Sequence, residues 1–210
     1  MRVLLLEKST RLLEASLGLR PRLLLVAAAL VLLVGVYLFP LWSMTMFAPQ
    51  YQDGLRLQIH SYKLESGNDG QDLREINVLN HYIGMRDLVV DDFTEFKWLP
   101  FVAGALALLT LRAAVHGRMS HLLDVLVLFF YFAAFSLWSF GYRMWSYGHN
   151  LDPTASVTVE PFMPPMFGYK QLANFEVYSY PALGSYLMAG AVLMMIGAFV
   201  LAWREGSQRP

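Results

Sequence analysis

From Leu23 to Pro49 the chain carries no charged residue, a run of about 27 positions that exceeds the roughly 20 an α-helix needs to cross the hydrocarbon core of a bilayer. Few soluble folds can absorb such a run, so the first expectation is a transmembrane helix over 23–49, long enough to tilt. It is too long for the apolar part of a signal peptide, and Phe47-Ala48-Pro49 is a poor cleavage site, so it reads as an uncleaved anchor. Composition agrees, with 56% of residues hydrophobic and 15% charged, against about a quarter charged in ordinary soluble domains.

Three further runs extend the pattern. Trp98 to Leu111 is apolar, and it reaches spanning length as a helix over 94–115 if Arg112 snorkels to the interface. Residues 122–142 form a third span, rich in Phe, Tyr and Trp, that closes in the aromatic group Tyr142, Trp145 and Tyr147 expected of an interfacial belt. Residues 183–203 are a charge-free fourth span. Ahead of the first span, Met1 to Arg20 has Leu6, Leu13 and Leu17 on one side of a helix, so 1–22 is expected as an amphipathic segment lying at the membrane surface.

Four spans place both termini on one side, with the turn 116–121 and the tail 204–210. That side holds Arg2, Lys8, Arg11, Arg20, Arg22, Arg112, Arg118, Arg204 and Arg209 against Glu7, Glu14, Asp124 and Glu205. The loops 50–93 and 143–182, with the residues that flank them, hold seven of the 16 basic and twelve of the 16 acidic residues. The positive-inside rule therefore puts both termini in the cytoplasm and both loops outside. Overall net charge is zero, which gives no reason to expect nucleic acid as a partner.

The loops exceed what a connector needs. Leu55, Leu57 and Ile59 alternate with Arg56, Gln58 and His60 as in a half-buried strand, Ser66 to Gly70 is turn chemistry, and Leu73, Ile76, Leu79, Asn80 and Ile83 sit at helical spacing. Asp91 or Asp92 is a plausible N-cap for the next helix. In the second loop Ser156 to Val159 favours a strand, Pro161 to Gly168 is stiff and extended, and Asn174 to Tyr180 reads as another strand. The fold class is a mainly α membrane protein of four transmembrane helices, with a small mixed α/β extracytoplasmic cap built from the two outer loops.

The chain contains no cysteine, which excludes disulfides, thiolate metal sites, iron–sulfur clusters and cysteine nucleophiles. No histidine falls in the middle of a span, which disfavours axial haem ligation, and no ionisable residue lies at mid-membrane as ion pumping requires. G-x-S-x-G, H-E-x-x-H and phosphate-binding glycine loops are absent, so a non-catalytic role is expected.

Soft-metal chemistry is the strongest positive signal. His81 and Met85 are four apart and share a face if the segment Gln71 to Lys97 is helical there. Imidazole and thioether both suit Cu(I), so His81, Met85, Met163 and Met166 are the candidate metal ligands and copper the candidate cofactor. A third ligand has to come from the same side: Met44, Met46, His60, His149, Met163 or Met166. The competing reading is packing, because methionine fills gaps in apolar cores. His60 reads as a surface histidine, His149 as part of a turn with Asn150 and Asp152, and Asp87, Asp91, Asp92 and Glu95 as a solvated, helix-capping group.

Asn80-His81-Tyr82-Ile83-Gly84-Met85, preceded by Ile76-Asn77-Val78-Leu79, resembles a segment of small multi-span membrane proteins from gene clusters that mature copper-dependent nitrous-oxide reductase. The proline–methionine segment and Asn174-Phe175 to Tyr180-Pro181 are similar to the second outer loop of such proteins, and together the likeness covers about a third of the chain. The resemblance implies a multi-pass protein of the bacterial inner membrane with an accessory role in periplasmic copper delivery or enzyme assembly. Its partners would be the lipid bilayer and other membrane or periplasmic proteins. The alternative is a structural subunit of a larger, respiratory-type membrane complex.

Overall fold

The computed structural model describes residues 14–172 and 174–207. Its elements run α1 (Leu19–Leu38), β1 (Trp42–Ala48), β2 (Tyr51–Ile59), β3 (Leu64–Ser66), α2 (Gln71–Tyr82), α3 (Glu95–His116), α4 (Met119–His149), β4 (Gly168–Leu172), β5 (Phe175–Pro181) and α5 (Leu183–Ser207). Short 3-10 turns at Asn68–Gly70 and Val90–Asp92 flank α2. The helices α1, α3, α4 and α5 are each long and apolar enough to cross a membrane.

Two compact units are present. The first comprises α1, Phe101–Ala133 and the part of α5 from Tyr186 onward. Many of its buried positions are small or aliphatic: Ala28, Ala29 and Leu32 on α1, Ala103, Ala107 and Ala113 on α3, and Ala191, Ala198 and Ala202 on α5. Small residues let helix backbones approach closely where no water is available to drive association. The Tyr37 hydroxyl fills the space a side chain at Gly104 would take. Buried Thr110 returns its hydroxyl to the Leu106 carbonyl at 2.7 Å and so leaves no polar group unsatisfied.

The second unit holds an antiparallel five-stranded sheet of order β3-β2-β1-β5-β4. Its register pairs Met44 with Leu57 on one side of β1 and with Ser179 on the other. Met46, Ala48, Leu55, Leu57, Leu172, Phe175 and Val177 join Ile76 and Leu79 of α2, and Ile83 just past its end, in one buried cluster. The alternation expected around Leu55 and Leu57 is thus what puts α2 on this face. The Trp42 indole N–H donates to Ser179 Oγ at 2.8 Å, and Ala182 N–H to the Leu41 carbonyl at 2.9 Å, which fixes where β1 starts and β5 ends.

Beyond Ser66, β2 loses its neighbour β3, and a side chain continues the ladder. The Asp72 carboxylate, 2% exposed, accepts the Arg56 backbone N–H at 2.8 Å and the Asn68 amide at 2.7 Å, while Gly67 N–H donates to the Arg56 carbonyl at 3.1 Å. This carboxylate therefore joins the start of α2 to the sheet.

Several expectations are corrected here. The run 23–49 is not one helix: α1 ends at Leu38, and Trp42–Ala48 is the central strand β1. Pro40 lacks an N–H and biases Phe39 away from helical angles, after which both edges of the chain find strand partners. The turn 116–121 shrinks to Gly117-Arg118 between α3 and α4, and the third long helix runs to His149 instead of ending at 142. Ser156 to Val159 forms no strand, whereas Gly168–Leu172 does. Asp91 and Asp92 lie in a 3-10 turn, not at a helix N-cap. The amphipathic segment over 1–22 falls largely outside the described residues; within it, 15–18 is non-helical.

Replacing Asp72 with alanine would strand a buried backbone donor on β2 and lower stability by about 2 kcal/mol. Chemical unfolding of the detergent-solubilised protein, followed by tryptophan fluorescence, measures this.

Candidate functional site

The candidate site is built where α2 ends. Ile83 N–H donates to the Asn80 carbonyl at 3.2 Å, Gly84 N–H to His81 at 3.1 Å and Met85 N–H to Asn80 at 2.8 Å, with Gly84 at φ +80°. This is a Schellman C-cap, with Gly84 at the left-handed position and Met85 just beyond it. Leu79 and Met85, the positions at which this motif places its apolar pair, both belong to the same buried cluster.

The cap corrects the premise that His81 and Met85 stack on one helical face. The helix stops at Tyr82, so His81 is exposed on its last turn while Met85, 9% exposed, turns back into the core with Ile83, Phe93 and Tyr147. Both residues nevertheless line one cleft of about 400 Å³, together with Gly84, Asp87, Asn150 and Asp152 among others.

Gly84 is required twice over. Its positive φ favours glycine, and a Cβ there would meet the Asp152 carbonyl at 2.7 Å. That close approach lets Asp152 N–H donate to the Gly84 carbonyl at 2.8 Å, and Val157 N–H reaches Tyr82 at 3.1 Å. Asp152 itself closes an Asx turn, accepting from the Thr154 backbone and hydroxyl at 2.8 and 2.7 Å. Those bonds, the hydroxyl's first, hold its carboxyl below the usual aspartate range; burial opposes them, and the charge of nearby His81 adds to the lowering.

The other wall is fastened by Asn77. Its side chain accepts the Leu88 N–H at 2.8 Å and donates to the Leu88 carbonyl at 3.4 Å, in the manner of a neighbouring strand. Arg86 lies 5.1 Å over the Tyr147 ring and donates to Ser146 Oγ at 3.3 Å. Asn77 was not singled out in the sequence, and neither Asn150 nor Asp152 was placed on this cleft. For Asp152 the signal was local, an Asp-x-Thr turn; for Asn77 and Asn150 no local pattern carried it.

The remaining candidates lie elsewhere. Met163 offers its carbonyl to the Lys170 ammonium at 2.9 Å, and the Met166 thioether packs against Gly141 of α4; neither lines the cleft. Met46 is in the sheet core with Met44 against it. His149 stacks on Trp145 at 4.6 Å, with its Nδ1 2.9 Å from the Trp145 carbonyl. His60 is corrected from exposed to buried: it is 7% exposed, and its Nε2 lies 3.3 Å from the Glu65 carboxylate. Glu95 is also not a freely solvated cap, because its carboxylate takes Arg143 at 2.8 Å and Ser139 at 2.7 Å. Among the described residues no group of three or more His, Asp or Glu side chains is placed to hold a metal ion. The cleft therefore offers one imidazole and one thioether as soft donors. No family model and no curated protein matches the chain.

Gly84→Ala should cost about 1–3 kcal/mol through backbone strain and the clash with Asp152, whereas His81→Ala, at an exposed position, should stay within about 0.5 kcal/mol. Paired chemical-denaturation curves compare the two. For His60, burial first and then the charge of Lys63 hold the imidazole pKa below its ordinary value, with Glu65 opposing. The unfolded chain therefore binds the proton more readily. The stabilisation from neutral His60 is complete above about pH 6.5 and falls away as pH drops toward the depressed folded value. Melting temperatures across pH 5–8 should show this slope in the wild type and lose part of it in His60→Phe.

Proposed function

We propose that the chain is a non-catalytic accessory protein of the bacterial inner membrane, with both termini cytoplasmic, whose sheet-bearing cap handles Cu(I) in the periplasm during assembly of a copper enzyme. The observation that carries this reading is the shared cleft of His81 and Met85. An imidazole and a thioether suit Cu(I), and two protein donors leave positions open for a ligand from another protein. That incompleteness fits hand-over better than storage. The likeness of Asn80 to Met85 to proteins of nitrous-oxide reductase maturation clusters points the same way, and the arginines at one end of the helices support the orientation.

A second reading, a structural subunit of a larger membrane complex, draws on α4. Phe135, Trp138, Tyr142 and Trp145 recur at three- and four-residue spacing, are exposed and meet successively at 5.8 to 6.0 Å, the first pair tilted and the other two stacked. A partner helix could cover such a stripe, though lipid serves equally.

The deciding experiment is Cu(I) titration of the purified chain beside His81→Ala and Met85→Leu, the latter chosen because leucine keeps the core volume. Copper handling at this cleft requires binding by the wild type and at least about tenfold weaker binding in each variant. Equal affinity in all three, or none in any, rejects it; no uptake combined with poor stability of the isolated chain favours the second reading.

A further inference from the structure

We propose that the arginine-bearing end of the helix unit is a binding site for an anionic phospholipid, whose phosphate is held by Arg22. Two observations independent of the His81 cleft support it. The first is the seating of Arg22. Its guanidinium lies against Gly117, where a Cβ would fall 1.8 Å from Nη2 and 2.4 Å from Nε. Gly117 has φ +63° and sits in the turn between α3 and α4, so the turn supplies bare backbone on which the planar group rests. The Nε atom is buried and has no hydrogen-bond partner among the described residues. A buried guanidinium donor without an acceptor is costly; Arg22 as a whole is only half-buried, so a phosphate can meet its accessible part and compensate the charge.

The second observation is what surrounds it. Arg20, Arg112, Arg118 and Arg204 are exposed on the same unit, and among the described residues none of these five guanidinium groups is ion-paired. Among the described residues the carboxylates of the unit are Glu14, Asp124 and Glu205, and that of Glu205 lies against Gly18 at the start of α1. The turn is held in place, since Leu17 N–H donates to the Gly117 carbonyl at 2.6 Å and Met119 N–H to the Ala15 carbonyl at 3.0 Å.

The flanks choose between a free phosphate and a lipid. Leu19, Leu23 and Val26 on α1 and Val115 on α3 are exposed, at 73%, 59%, 39% and 77%. Inorganic phosphate gives these apolar groups nothing. A phospholipid covers them with acyl chain while its phosphate reaches the guanidinium, and positive local charge favours an anionic headgroup.

The test is native mass spectrometry of the full chain in detergent, titrated with phosphatidylglycerol or phosphatidylcholine. Wild type should retain phosphatidylglycerol about tenfold better, Arg22→Gln should bring the two lipids near parity, and Arg112→Gln should keep most of the preference. Arg22→Lys keeps the charge without the planar fork and should give an intermediate value, which serves if the glutamine variant does not fold. Equal retention by the wild type, an unchanged preference in both Arg22 variants, or an equal loss in Arg112→Gln overturns the site. Displacement of phosphatidylglycerol by millimolar inorganic phosphate overturns the lipid as its occupant.

Discussion

Strand β1 leaves α1 just after Pro40 with both of its hydrogen-bonding edges open, and the rest of the second unit follows from satisfying them. One edge takes β2 and the other takes β5, which arrives from far along the chain and runs directly into α5. An apolar, sheet-forming segment directly after a membrane-length helix would otherwise be an aggregation hazard. Sandwiched between neighbours, it becomes the axis on which β3, β4 and α2 are hung. The face that holds Met46 and Ala48 then needs a cover, and Ile76 and Leu79 of α2, with Ile83 at its C-cap, supply it.

Much of this architecture was legible in the residues, and the failures have physical causes. The four long helices announce themselves because a bilayer demands an uninterrupted apolar length that little else does. Strand β1 was hidden for the same reason: Trp42 to Ala48 is as free of charge as the helix before it, and its strand state depends on partners contributed by β2 and β5. The length of α4 was misjudged because Tyr142, Trp145 and Tyr147 read as the interfacial close of a span, whereas the helix runs on past Arg143, which Glu95, 48 positions away, neutralises. No local pattern carries that information. His60 was misplaced likewise, since polar neighbours in sequence conceal a side chain buried by non-local packing.

The candidate site was half legible. The stretch Asn80 to Met85 drew attention by its residue types, and it does form one wall of a cleft. The geometry inferred for it was wrong because a four-residue spacing implies a shared face only while the helix continues, and glycine at the fifth position of this stretch is the commonest way for a helix to stop. The side chains opposite, Asn150 and Asp152, come from the other long segment, and spacing within one segment could not reveal them.

The meeting of Gly84 with Asp152 has a consequence for how the sequence can drift. Where two backbones touch with no side chain between them, neither segment can change length or conformation without the other. Substitutions at 84 and across 152–155 should therefore be non-additive in their energies, and the two segments, some seventy residues apart, are bound to evolve as one piece.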